Sequence, residues 1–233
     1  MLKRTSRSGK TDPDSQSKDQ AEEDIALFFG EQFEAQFDDL LDEMGDEDPS
    51  PPPPAFWEKW SGIFLAFLVP MLTGMAVSAS ETEALSLGIE IDHDEIVAEA
   101  SNWARTYGFN MVSDLNENTR NHLQNALRNY FDTPDRNLDL LIGDLSSMFT
   151  PRRAQTIAVT EVTRGFENGK RIYAEKLEID GILTEPRWYT MKDNNVCVIC
   201  EPNDEKLRSE GWTVAEIPAH PNDRCWTELE LVT

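Results

Sequence analysis

Apolar residues recur at spacings of three and four from Ile25 through Phe28, Phe29, Phe33, Phe37, Leu40 and Leu41 to Met44. That period places them on one side of a helix whose other sides are densely acidic, and it predicts an amphipathic acidic helix over residues 24–45. Two roles suit such a helix: packing on the following domain, or docking in a basic, apolar groove of a partner. The proline run that follows predicts a stiff, extended linker over residues 46–54, which keeps the docking role open. Residues 1–23 are polar and hold little apolar surface with which to offset the entropy of ordering, so they are expected to be disordered.

From residue 55 to residue 178 the pattern is helical almost throughout. Leu87-Gly88 reads as a helix end with glycine just beyond it. One apolar stripe runs through Ile96, Ala100, Trp103, Tyr107, Met111 and Leu115, and a second helix is expected through Leu123, Ala126, Leu127, Tyr130 and Phe131. Thr133-Pro134 and Thr150-Pro151 each predict a helix start, with threonine as cap and proline in the first turn, where its missing N–H costs nothing. The first of these helices presents Leu138, Leu141, Ile142, Leu145 and Met148; the second runs to about Leu177. After Gly181 the period shortens. Arg187 to Met191 is β-prone, and the run from Trp226 to Val232 alternates like a closing strand. The expected fold is mainly α in the N-terminal and central regions, with a small α+β module over residues 179–233. A core of that size often needs a staple.

Ser61 to Ser80 holds twenty residues without a charge, long enough to span a bilayer. Pro70 and Gly74 interrupt it, and neither flank is rich in lysine or arginine. The segment is read as a buried or partner-facing helix without stable membrane insertion. The chain's net charge of −23 is uneven: residues 21–48 carry twelve carboxylates and no basic residue. Counterion release needs clustered cations, so the chain is a poor non-specific binder of nucleic acid and better suited to a basic protein partner.

All three cysteines fall in the last module. Cys197 and Cys200 have the C-x2-C spacing that turns two thiolates toward one ion, and His220 and Cys225 follow as an H-x4-C pair after nineteen intervening residues. Two such pairs are what a closed tetrahedral zinc site requires, with Asp223 as an alternative ligand or as a hydrogen-bonding partner of His220. The first ten residues show no apolar stretch after their charges, so a reducing compartment is expected. A Cys197–Cys200 redox pair and three packed, metal-free thiols are the other readings.

Three segments carry a family resemblance: Arg153 to Arg164 (R-A-Q-T-I-A-V-T-E-V-T-R), Trp188 to Cys200 (W-Y-T-M-K-D-N-N-V-C-V-I-C) and Ile217 to Cys225 (I-P-A-H-P-N-D-R-C). In this order, over residues 153–225, they resemble the C-terminal domain of the phage Mu F-like head morphogenesis proteins. Asp223 stands where the family pattern has a cysteine. The resemblance implies a minor capsid protein of a tailed-phage head, without catalysis, associated with the portal and with procapsid or scaffold proteins. It would reside in the virion, and in the host cytoplasm during assembly, with a role in DNA packaging or delivery. Arg152, Arg153, Arg164, Lys170, Arg171 and Lys176 are the only basic stretch available to packaged DNA. Glu161, Glu167, Glu175 and Glu178 interleave with them, which favours a solvated helix face. The alternative function is a metal-dependent hydrolase or nuclease with a zinc-stabilised C-terminal module. It needs a second cluster of ligands for a catalytic ion, and His220 is the only histidine of the module. Glu161 and Arg164, one turn apart, are expected to form an ion pair within their helix.

Overall fold

The apolar stripes fold as long helices in a computed structural model that describes residues 10–90, 92–191 and 196–232. The helices are α1 (Ser15–Met44), α2 (Pro54–Leu87), α3 (His93–Asp132), α4 (Leu138–Ser146) and α5 (Pro151–Ile179). The mainly α architecture with a small C-terminal sheet is as expected. Gly88 ends α2 in the left-handed conformation, and Thr150 caps α5 by accepting the Arg153 N–H, with Pro151 in the first turn.

Two helix boundaries differ from the pattern. The stripes ending at Leu115 and starting at Leu123 lie on one unbroken forty-residue helix, because the polar run between them contains no glycine or proline. Thr133 closes α3 instead of opening the next helix. Its hydroxyl donates back to the Asn129 carbonyl, and the cap of α4 is Asn137, whose side chain accepts the Leu140 N–H.

The expectation of disorder over residues 1–23 fails from residue 10 onward; residues 1–9 lie outside the described residues. Asp12, Asp14 and Lys18 are buried, and Lys18 pairs with Asp12 at 2.8 Å. Lys170 of α5 lies within 3.5 Å of Asp14, 3.7 Å of Glu83 and 3.5 Å of Glu167. Ion pairs and hydrogen bonds, within the segment and to the C-terminal half, hold it in place, with Ala21 joining the apolar core. Of the basic stretch on α5, Arg152 and Arg171 are exposed as expected, but two members are not. Lys170 is buried in this network, and Arg153 is mostly buried, donating to Thr119 and to the Met148 carbonyl.

Of the two roles open to the acidic helix, the structure shows packing. Ile25, Phe29, Phe33 and Leu40 of α1 join Phe64, Leu68 and Leu72 of α2, Val112 and Leu123 of α3, and Ala158, Val162 and Phe166 of α5 in one core. Phe28 stacks on Phe67 at 3.8 Å between ring centroids. The proline run is thus the connection between two packed helices and not a tether. α2 and α5 are in close contact at Gly169, where a Cβ would run into the Ala76 carbonyl. Only glycine allows that contact.

Beyond α5 the chain forms a two-stranded antiparallel sheet, β1 (Thr184–Tyr189) with β2 (Trp226–Leu231), in register from Thr184 opposite Leu231 to Tyr189 opposite Trp226. Between the strands lie two short 3-10 turns, Glu201–Asn203 and Arg208–Glu210, and a cis peptide bond before Pro218. A separate small core of Trp188, Cys200, Ile217 and Cys225, with Trp212 edge-on to Trp188, fills this module.

Candidate metal centre

The module is assembled on one polar face of α5. Thr156, Thr160, Thr163, Glu167 and Lys170 recur at spacings of four and three, so they line a single side of the helix. Each meets the returning chain. Asn222 donates its backbone N–H to Thr160 Oγ1 at 3.0 Å and its side-chain Nδ2 to Thr156 Oγ1 at 3.4 Å. Thr163 donates to the Asp223 carbonyl at 2.7 Å. Glu167 accepts from both the N–H and the hydroxyl of Thr227, and Lys170 donates to the Thr227 carbonyl at 2.6 Å. Glu83 of α2 accepts the Leu229 N–H at 3.2 Å. The outer edge of β2 is therefore satisfied by side chains of two helices where a third strand would otherwise pair. The first motif thus holds the backbone of the third, about sixty residues away.

Held in this way, the third segment faces the C-x2-C turn. Cys197 Sγ lies 3.0 Å from His220 Nε2, and Cys200 Sγ lies 3.5 Å from the same nitrogen. The Cys200 backbone N–H turns back toward Cys197 Sγ at 3.3 Å, which closes the turn. Two trios have their donor atoms within 4.8 Å of one another: Cys197, Cys200 and His220, and Cys200, Asp223 and Cys225. Cys200 belongs to both and links the two trios, so the five predicted residues lie in one neighbourhood. The four Cys and His groups can hold a metal ion. Zinc–sulfur and zinc–nitrogen bonds of about 2.3 and 2.0 Å place ligand atoms about 3.5–3.8 Å apart in a tetrahedron; the Cys200–His220 spacing matches this, Cys197–His220 is shorter, and Cys225 is grouped with Cys200 and Asp223.

Two features suit the donor set to an ion. His220 Nδ1 lies 2.9 Å from the Pro221 carbonyl. A proton held on Nδ1 leaves the Nε2 lone pair directed at the sulfurs, the orientation that a hydrogen bond on the far ring nitrogen gives a ligating histidine. Asp223 is buried and uses both oxygens: Oδ2 accepts the Ala219 N–H at 2.8 Å and Oδ1 accepts the Cys225 N–H at 2.9 Å. Those bonds fix the loop that carries His220 and Cys225. They make Asp223 the support of the ligand loop, with its Oδ2 still 3.8 Å from Cys200 Sγ.

The electrostatics without an ion are those of a shared proton. The hydrogen bond with Cys225 draws the Cys200 thiol below the ordinary thiol range, against its burial. The same bond, together with burial and the Asp223 charge, pushes Cys225 well above that range. Burial disfavours the charged form of His220, but its bond to Pro221, the Asp223 carboxylate and Cys197 outweigh this and raise it. A cavity of about 260 Å³ opens over the cluster, lined also by Gln155, Val159 and Met191.

Glu161 and Arg164 form the expected pair at 3.7 Å, and Tyr107 adds a hydrogen bond to Glu161 at 2.7 Å while its ring lies under the Arg164 guanidinium. Positions 192–195 of the second motif lie outside the described residues. The threonine face of α5 is a functional feature that the spacing of the cysteines and histidine does not reveal. Its signal was three threonines at 156, 160 and 163 on one side of a helix otherwise rich in apolar and charged residues. Compared with family models, curated proteins and solved structures, the chain finds no match in any of the three.

Proposed function

We propose that the chain is a non-catalytic assembly protein, a minor component of a tailed-phage head, whose C-terminal module is pinned by one structural zinc ion. The observation that carries this reading is the convergence of the three motif segments: the α5 threonines grip the Asn222–Asp223 backbone and thereby set His220 and Cys225 against Cys197 and Cys200. Cys197, Cys200, His220 and Cys225 would hold the ion, and Asp223 would support them from behind. Zinc supplies a rigid cross-link there, and four protein donors leave no coordination position for a substrate. Association with the portal and with procapsid or scaffold proteins follows from the family resemblance. The hydrolase alternative needs a second set of ligands; among the described residues the metal-capable groups gather in this one cluster.

The test is elemental analysis of the native protein beside Cys197→Ser, together with co-purification from assembling heads. Near-stoichiometric zinc in the wild type, lost in the variant with local unfolding of residues 182–232, is the expected result. Metal-free protein whose stability is the same in the variant would leave packed thiols. Purified protein that cleaves DNA with added magnesium or manganese, and stops doing so on His220→Ala, would favour the hydrolase.

A further inference from the structure

The most apolar eighteen-residue window of α2 has a mean hydropathy of 2.0, yet only 33% of it is buried. Its inner face is fully committed to the core: Phe64, Leu68, Leu72, Ala76 and Ala79 are sealed from solvent. Its outer face is not covered by the described residues. Gly62, Ala66, Pro70 and Gly74 are exposed at intervals of one turn, between half-buried Ile63, Phe67 and Met71 on one side and Leu65, Val69 and Thr73 on the other. A Cβ added at Gly62 or Gly74 meets nothing within 4 Å. The patch extends onto both neighbouring helices. Leu27, beside the Phe28 that stacks on Phe67, is 62% exposed, and Phe109, beside the Gly108 that touches Leu65 and Val69, is 63% exposed. A contiguous apolar surface of this kind is the mark of an interaction site.

We propose that this face docks a basic amphipathic helix from another protein. A floor of glycine, alanine and proline lets a second helix approach to about 8 Å between axes. The flanks choose its charge. α1 carries ten carboxylates and one lysine, and α3 six carboxylates and three arginines. The α1–α2 seam already draws one ammonium, that of Lys59, which pairs with Asp39 and lies over the Trp60 ring. A second copy of this chain brings the same acidic flanks, at a net charge of −23 each, and is repelled. An anionic bilayer is repelled for the same reason, and α2 cannot leave the core to insert. The surface stands on the α2 face and not on the cysteine cluster; only its use in head assembly rests on the function proposed above.

The experiment titrates the full-length protein with an eighteen-residue Leu/Ala helical peptide carrying lysine and arginine on its polar side, followed by fluorescence anisotropy. A peptide with the same apolar face and glutamate in place of the cations is the control. Ala66→Glu and Gly62→Glu change exposed positions with room for the side chain, and circular dichroism checks that both fold. Saturable binding of the basic peptide, at least tenfold tighter than the acidic one and at least tenfold weaker in both variants, is expected. The added glutamates separate docking from general charge attraction, which they would strengthen. Equal binding of the two peptides, or binding of the basic one unchanged or improved in the variants, overturns the proposal. So does a wild-type dimer in sedimentation that Ala66→Glu dissociates, which assigns the face to a second copy. Co-flotation with phosphatidylglycerol vesicles that Ala66→Glu abolishes assigns it to lipid and overturns the proposal too. Zinc content, measured on the same samples, keeps this outcome separate from the fate of the metal-centre reading.

Discussion

Thr163 shows what a single hydroxyl does in this molecule. It is fully buried and donates to the Asp223 carbonyl at 2.7 Å. Replacing it with valine keeps the shape and removes the donor. The carbonyl is then buried without that bond, a loss that costs about 1–3 kcal/mol. Thr163→Val is therefore expected to lower the urea midpoint at unchanged slope, and to weaken retention of metal by the cluster, since the loop bearing His220 and Cys225 is loosened. An unchanged midpoint would show that the bond adds nothing net. The contrast with the cysteines explains what was legible at this scale. Cys197, Cys200, His220 and Cys225 could be read because ligand chemistry and short spacing are both properties of the sequence. The roles of Thr160, Thr163 and Asp223 could not, because their partners are backbone atoms, which look alike at every position. From the sequence, Asp223 is an alternative ligand or a hydrogen-bonding partner of His220. In the fold it is the residue that holds the site together, by accepting two backbone N–H groups.

Helices were legible as helices, and their contacts were not. Period and caps gave α2 and α5 closely, since Gly88 and Thr150-Pro151 act locally. The same local logic failed at Thr133, where a hydroxyl able to cap the next helix bonded back to the previous turn instead. The close α2–α5 contact leaves no trace in the apolar pattern. Gly169 lies inside α5, where glycine is unfavourable by about 1 kcal/mol relative to alanine, and its reason is the Ala76 carbonyl of α2. Gly169→Ala would force the two helices apart or bend one of them, and overpacking of this kind costs about 1–3 kcal/mol or more. Gly30, within α1, has nothing within 4 Å of its Cβ position, and Gly30→Ala is expected to stabilise by about 1 kcal/mol through propensity alone. Opposite shifts in melting temperature for two identical substitutions would assign the first to the α2–α5 contact. A gain for both would mean that the helices separate without penalty.

At the scale of the whole molecule, the N-terminal segment, α2, α5 and β2 meet around Lys170. Asp12 and Asp14, Glu83, Glu167 and the Thr227 carbonyl come from four separate parts of the chain and share two buried lysines. This is why residues that compose like a disordered tail are ordered: the compensation lies in charges contributed by distant segments, which composition cannot reveal. The arrangement holds more carboxylates than ammonium groups. Burial, the largest influence, raises Glu83 from its ordinary 4.5 to about 7, although Lys170 and the Leu229 N–H pull the other way. The sign of the consequence follows from linkage. A carboxyl whose folded value is raised binds its proton more tightly in the native state, so its contribution to stability is full below about pH 4.5 and is lost as pH rises through about 7. Glu83→Gln keeps an oxygen to accept the Leu229 N–H but cannot ionise. Against pH, the stability of the wild type relative to this variant should fall between pH 5 and pH 8, as read from urea midpoints at each pH, and should level off beyond. Hydrogen-exchange protection of the core amides, corrected for the intrinsic rise of exchange with pH, should fall over the same interval in the wild type relative to Glu83→Gln. Parallel pH profiles for the two proteins would place the acid-sensitive group elsewhere and reduce the Lys170 cluster to fixed charges that pin the chain ends to the helices.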